Sequence, residues 1–142
     1  MLKKSDLTPR QSAAVTAIFE QDENILIAPT GAGKTIICLT AIQELLAEGV
    51  GPFIVACPAK VVPVWRKEAR KWEHTNNLVI REVTGDARKR SGIIKCKADV
   101  YVISLNSLDW MLKEKHSCMG IVIDELSKAT GKQTAALKTK KC

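Results

Sequence analysis

The stretch NILIAPTGAGKTII, residues 24–37, decides the fold. An apolar run stops at Pro29, a glycine-bearing turn follows, and Lys34-Thr35 opens a second apolar segment. The first run, NILIAP (24–29), is continuously apolar and reads as a buried strand. The segment after the turn has helical spacing: Ile36, Leu39, Ile42 and Leu46 fall on one stripe over 35–48, and Gly49, Gly51 and Pro52 end it. Strand, glycine turn and helix in that order make a cradle for an oxyanion. Glycines let backbone N–H groups turn inward, and the helix contributes the positive end of its dipole. The octet Ala28, Pro29, Thr30, Gly31, Ala32, Gly33, Lys34 and Thr35 fits the phosphate-loop pattern, with Ala28 where the first glycine normally stands. Lys34 is expected to reach the β- and γ-phosphates of ATP, and the Thr35 hydroxyl to ligate Mg²⁺.

Further short apolar runs recur along the chain. FIVACP (53–58), LVIREV (78–83), VYVISL (100–105) and GIVIDEL (120–126) read as strands. Residues 61–72 read as a helix with Pro63 in its first turn. Trp65, Ala69 and Trp72 share its apolar face, which assigns the tryptophans to core packing rather than to a base-stacking platform. A shorter helix covers 106–115. The order βαβαβ(α)βαβ predicts one α/β domain over 1–142: a doubly wound, three-layer parallel sheet with helices on both faces. The basic run Arg88, Lys89, Arg90 reads as a solvated turn, and the tail KQTAALKTKKC (132–142) as a basic, Ala-rich helix or a frayed end.

With 142 residues, 46% of them apolar, the chain can bury a real core. Its net charge of +7 suits a polyanionic partner and a basic solvated surface equally well. The five cysteines are odd in number and form no CxxC pair. Cys38 and Cys57 lie in apolar runs, where thiols behave as small hydrophobes. The expectation is a reduced, cytoplasmic protein without a zinc site, a signal peptide or a membrane span.

A second acidic element answers the phosphate loop. In IVIDEL, residues 121–126, three apolar residues bury a strand and Asp124-Glu125 emerge at its C-terminal end, where open α/β sheets collect ligands. Asp124 is expected to hold Mg²⁺, directly or through water. Glu125 is expected to polarise the attacking water as general base.

APTGAGKT followed by IDEL resembles motifs I and II of superfamily-two helicases and translocases, although Leu126-Ser127 departs from both the DEAD and the DEAH version. LTPRQSAAV (7–15) resembles their upstream glutamine motif. FIVACPAKVVPVWRKEARKW (53–72) resembles motif Ia of the Swi/Snf-type branch; VTG (83–85), VISLNSL (102–108) and DELSKA (124–129) fit later segments of that branch. The resemblance implies a RecA-like first lobe of an ATP-driven translocase on duplex DNA. It places Gln11 near the adenine and makes Lys60, Thr84 and Ser104 candidates for nucleic-acid phosphate contacts.

The resemblance also implies parts that these residues do not supply. Motif III would follow motif II on a strand lying between those of motifs I and II, and a second RecA-like lobe would bring an arginine to the ATP. On that layout the phosphate-loop strand lacks a neighbour on one side. The chain then reads as a piece of a longer protein, half of a split one or a truncated gene product, and as a poor ATPase alone. Two other readings stay open, an RNA-directed helicase lobe and a non-catalytic nucleotide- or nucleic-acid-binding module working through a partner. A metabolic phosphate-loop kinase, which would need a lid and a substrate site, is more distant.

Overall fold

Continuous apolar strands need cover on both faces, and the helices flanking each strand supply it. A computed structural model of the chain describes residues 1–20, 23–29, 33–114, 120–126 and 132–139, with side chains at 1–17, 33–114 and 120–124. Its elements are α1 (Pro9–Glu20), β1 (Glu23–Pro29), α2 (Lys34–Ala47), β2 (Phe53–Cys57), α3 (Val62–Ala69), β3 (Ile80–Val83), α4 (Ala87–Ile94), β4 (Val100–Ser104), α5 (Leu108–Glu114), β5 (Gly120–Leu126) and β6 (Lys132–Thr139). The strands form one sheet in the order β1-β6-β5-β2-β4-β3.

Strand β2 is buried at all five positions, and its side chains divide between two cores as the pleat requires. Phe53, Val55 and Cys57 join Ile36, Leu39, Ile42, Trp65 and Trp72 on the side covered by α1, α2 and α3. Ile54 and Ala56 join Tyr101, Ile103, Ile94 and Met111 on the side of α4 and α5. The three-layer α/β expectation therefore holds. Trp65 is fully buried and Trp72 nearly so, which makes both of them core residues.

β2 pairs in parallel with β4 and β5, and β4 with β3. Gly120 opens β5 where Phe53 lies against it: a Cβ there would come within 2.0 Å of the ring. No other residue fits that contact.

Two expectations are corrected. The tail is neither helix nor frayed end, because residues 132–139 form β6, antiparallel to β1 on one side and to β5 on the other. The phosphate-loop strand thus has a neighbour along all seven of its residues. The local composition of β6, rich in Ala, Leu, Lys and Gln, favours helix. Unpaired N–H and C=O groups of two neighbouring strands override that preference. Its direction follows from connection length: only five residues, 127–131, separate β5 from β6. A parallel partner needs a crossover of a dozen or more. Since β6 is antiparallel to both neighbours, β1 runs in the same sense as β2–β5, and β6 alone is reversed.

The second correction concerns Arg88–Arg90, which lie in helix α4 rather than in a solvated turn. The Asp86 side chain accepts a hydrogen bond from the Lys89 backbone N–H at 2.8 Å and caps that helix. Arg88 and Lys89 stay exposed, whereas Arg90 turns inward.

Candidate functional site

All five co-directional strands end at one edge of the sheet, and the candidate residues collect there because their positions are strand C-termini and helix N-termini. Helix α2 begins at Lys34, straight after Gly33, whose φ of +75° is left-handed. Lys34 lies in the first turn, and β5 brings Asp124 opposite. The Lys34 ammonium and the Asp124 carboxylate form an ion pair, with side chains only 3% and 1% exposed. The second carboxylate oxygen, Asp124 Oδ2, is buried and has no hydrogen-bond partner among the described residues. A buried acceptor left unpaired costs about 1–3 kcal/mol, so this oxygen is a place where a ligand gains.

Two thiols flank the pair. Burial pushes the Cys38 thiol up to about 12, against the pull of the nearby Lys34 ammonium. Burial, with the Asp124 carboxylate adding to it, pushes the Cys57 thiol up to about 12 as well. Both stay protonated at neutral pH and act as apolar filler, as their sequence context implies.

Gln11 also reaches this region. Its backbone N–H donates to Thr8 Oγ1 at 3.1 Å, and its Oε1 accepts from the Thr8 N–H at 2.9 Å, fixing the start of α1. Its Nε2 lies 2.1 Å from where a Cβ on Gly33 would stand. The glutamine expected near the adenine thus packs on the N-terminal end of the loop helix. Gly33→Ala is expected to cost about 1–2 kcal/mol for the left-handed backbone and to displace Gln11. Urea unfolding gives the first effect, and the Gln11 side-chain amide resonances give the second.

The remaining expected residues divide. Ala28 and Pro29 end β1, and Glu125 follows Asp124 on β5, opposite Thr134 of β6. Thr30, Gly31 and Ala32 lie outside the described residues. Thr35 is half-buried in the first turn of α2. Thr84 and Ser104, at the ends of β3 and β4, line one cavity, whereas Lys60 is exposed in the 3₁₀ turn Ala59–Val61. Sequence reading missed the inward turn of Arg90 and its partners Ser107 and Trp110. Asp86 three residues before Lys89 is a capping signal that could have marked the helix.

Carboxylate and hydroxyl oxygens at Asp124 and Thr35 are the hard donors that Mg²⁺ prefers. No group of three or more His, Cys, Asp or Glu gathers among the described residues. That suits a cation held by one carboxylate with substrate phosphates and water completing its shell. Also among the described residues, no helix is long and apolar enough to cross a membrane.

A phosphate-loop strand and helix, tied through a buried Lys–Asp pair to an acid-tipped strand of the same sheet, define a RecA-like ATPase lobe. The profile of the ResIII family, described as Type III restriction enzyme, res subunit, matches residues 4–141, and the chain belongs to that family. Within it the lobe is of the superfamily-two, Swi/Snf-like helicase type. Protein p41 of Acyrthosiphon pisum secondary endosymbiont phage 1 is 29% identical over 91% of this chain and 31% of its own length. ATP-dependent DNA helicase Hel308 of Pyrococcus abyssi is 30% identical over 85% of this chain and 18% of its own. ISWI chromatin-remodeling complex ATPase ISW2 of Saccharomyces cerevisiae is 27% identical over 94% of this chain and 13% of its own. The chain thus spans under a third of the length of these relatives.

Proposed function

We propose that this lobe binds Mg-ATP and that, as part of a larger assembly, it couples ATP hydrolysis to movement on duplex DNA. The observation that carries the proposal is the buried Lys34–Asp124 pair, with Asp124 Oδ2 left without a partner. A pair this deep is costly to desolvate and a weak device for stability alone, but it holds a cation donor and an anion together for a ligand carrying both charges. A nucleotide's terminal phosphates compete with Asp124 for the Lys34 ammonium, and the freed carboxylate becomes available to the metal. When bound, Mg²⁺ would neutralise charge on the β- and γ-oxygens.

In this reading the amides of 30–33 and the Lys34 ammonium hold the phosphates, Ala28 and Pro29 bring the chain into the loop, and Thr35 joins Asp124 at the metal. Gln11 contacts the base edge, and Glu125 takes a proton from the attacking water. A second RecA-like lobe, in cis or in trans, completes the site with an arginine, a contribution worth about 10³–10⁵ in rate where such arginines have been removed. The isolated lobe then binds nucleotide without turning it over efficiently. Lys60, Thr84 and Ser104 face the nucleic-acid backbone. DNA, rather than RNA, is favoured by the printed descriptions of Hel308 as a DNA helicase and of ISW2 as a chromatin-remodeling ATPase.

Lys34→Ala is expected to weaken Mg-ATP binding by about 10- to 100-fold, the worth of a charge-assisted hydrogen bond. Calorimetric titration measures it, and undiminished affinity rules the phosphate-loop reading out. Joined to a second lobe, the protein should release phosphate faster with duplex DNA than with RNA. Equal indifference to both removes the translocase assignment.

A further inference from the structure

At the ends of β2, β3 and β4 lies a cavity of about 220 Å³, lined in part by Ala59, Thr84, Gly85, Arg90, Ser104 and Ser107. At about 30 Å³ per water, it has room for roughly seven waters, or one tetrahedral oxyanion and a few waters. No acidic side chain lines it. Because β1–β5 share one direction, it lies at the same edge of the sheet as the phosphate loop.

Arg90 is prepared for an anion in a way a solvated arginine is not. Its guanidinium carbon lies 4.4 Å from the centre of the Trp110 ring, and its Nη1 donates to Ser107 Oγ at 2.6 Å. Its Nε is buried and has no hydrogen-bond partner among the described residues. Stacking and one hydrogen bond fix the fork, so little side-chain entropy remains to be lost on binding. Ser107 Oγ also accepts from Ser104 Oγ at 3.3 Å, which leaves the Ser107 hydroxyl hydrogen free to donate. Exposed Arg88, Lys89 and Lys60 lie on the adjoining turns and add positive charge around the cavity.

We infer that this cavity is a pocket for one backbone phosphate of a nucleic-acid strand, with Arg90 as its charged ligand and Ser107 as a neutral donor. The inference rests on the proposed engagement of nucleic acid and adds to it a discrete site with residues the sequence did not suggest. Free inorganic phosphate shares the chemistry, and the test separates the two sources. A strand's phosphate is favoured because the cavity sits at a ligand-collecting sheet edge on a chain of net charge +7.

The experiment follows the Arg90 Nε–Hε resonance of the ¹⁵N-labelled chain during titration with a short duplex DNA and, separately, with inorganic phosphate. The salt dependence of DNA binding is then measured for the wild type, Arg90→Gln and Arg90→Lys. DNA is expected to shift the resonance. Arg90→Gln is expected to lower affinity about tenfold at low salt and to reduce the slope of log K against log salt by roughly 0.9, one phosphate contact. Arg90→Lys, which keeps the charge, restores the slope.

A resonance that moves with inorganic phosphate but not with DNA overturns the inference, as does one that moves with neither. Should Arg90→Gln fail to fold by circular dichroism, the wild-type resonance decides. A wild type that binds no nucleic acid under any salt sinks the proposed function itself. Binding with an unmoved Arg90 and an unchanged slope sinks only the pocket.

Discussion

Asp124→Leu is expected to lower the free energy of unfolding by about 3–5 kcal/mol, because it leaves the Lys34 ammonium buried without its counter-charge. The pair is almost wholly shielded, with side chains 3% and 1% exposed, so solvent cannot take over from the lost carboxylate. Lys34→Met, which strands the carboxylate instead, should cost a comparable amount. The double substitution, Lys34→Met with Asp124→Leu, should recover most of the loss, since an apolar pair of similar volume carries no desolvation penalty. Urea unfolding of the wild type, both single variants and the double variant closes the cycle. Single variants within 1 kcal/mol of the wild type mean that the two charges are not paired in the folded chain. The same pair should be insensitive to salt, unlike the exposed Lys71–Glu68 contact on the protein's surface.

The second large effect is on turnover. In the protein completed by a second lobe, Glu125→Gln should slow steady-state phosphate release by about 10²–10⁴-fold, the usual worth of a general base. ATP affinity should change only a few-fold, since the assigned role is to take a proton from water rather than to hold the nucleotide. The split matters. A variant that keeps more than a tenth of the rate removes Glu125 from the chemistry. One that loses binding in parallel makes it a ligand of the nucleotide or its metal instead. Paired with Lys34→Ala, which should act on affinity, it separates the two halves of the proposed site.

Most of the sheet was legible because its strands carry their own evidence. Phe53–Cys57 and Val100–Ser104 are buried on both sides, and a run with no polar face has few other places to go. The loop helix declared itself through Ile36, Leu39 and Ile42 at helical spacing, all of which lie in one core. The pairing of Lys34 with Asp124 followed from strand–turn–helix order together with an acid-tipped strand, although ninety residues separate them.

Where reading failed, local preference and final structure disagreed. The segment 132–139 has helix-forming residues and became a strand, since what decides it is the row of unpaired groups on β1 and β5 and not its own composition. Arg90 looked like one more solvated cation in a basic run. Its inward turn depends on Trp110 and Ser107, which lie on the far side of β4 in the chain and reach it only in the folded molecule.

By itself, then, the amino-acid order determined the class of fold, the phosphate loop and the acids that face it, since each depends on neighbours a few residues away and on burial pattern. Tertiary structure alone decided that a reversed strand sits between β1 and β5, that the lysine and aspartate meet out of water, and that Arg90 is stacked at a cavity. Those outcomes turn on backbone groups and side chains from distant segments competing for the same partners, a contest that no local window of sequence contains.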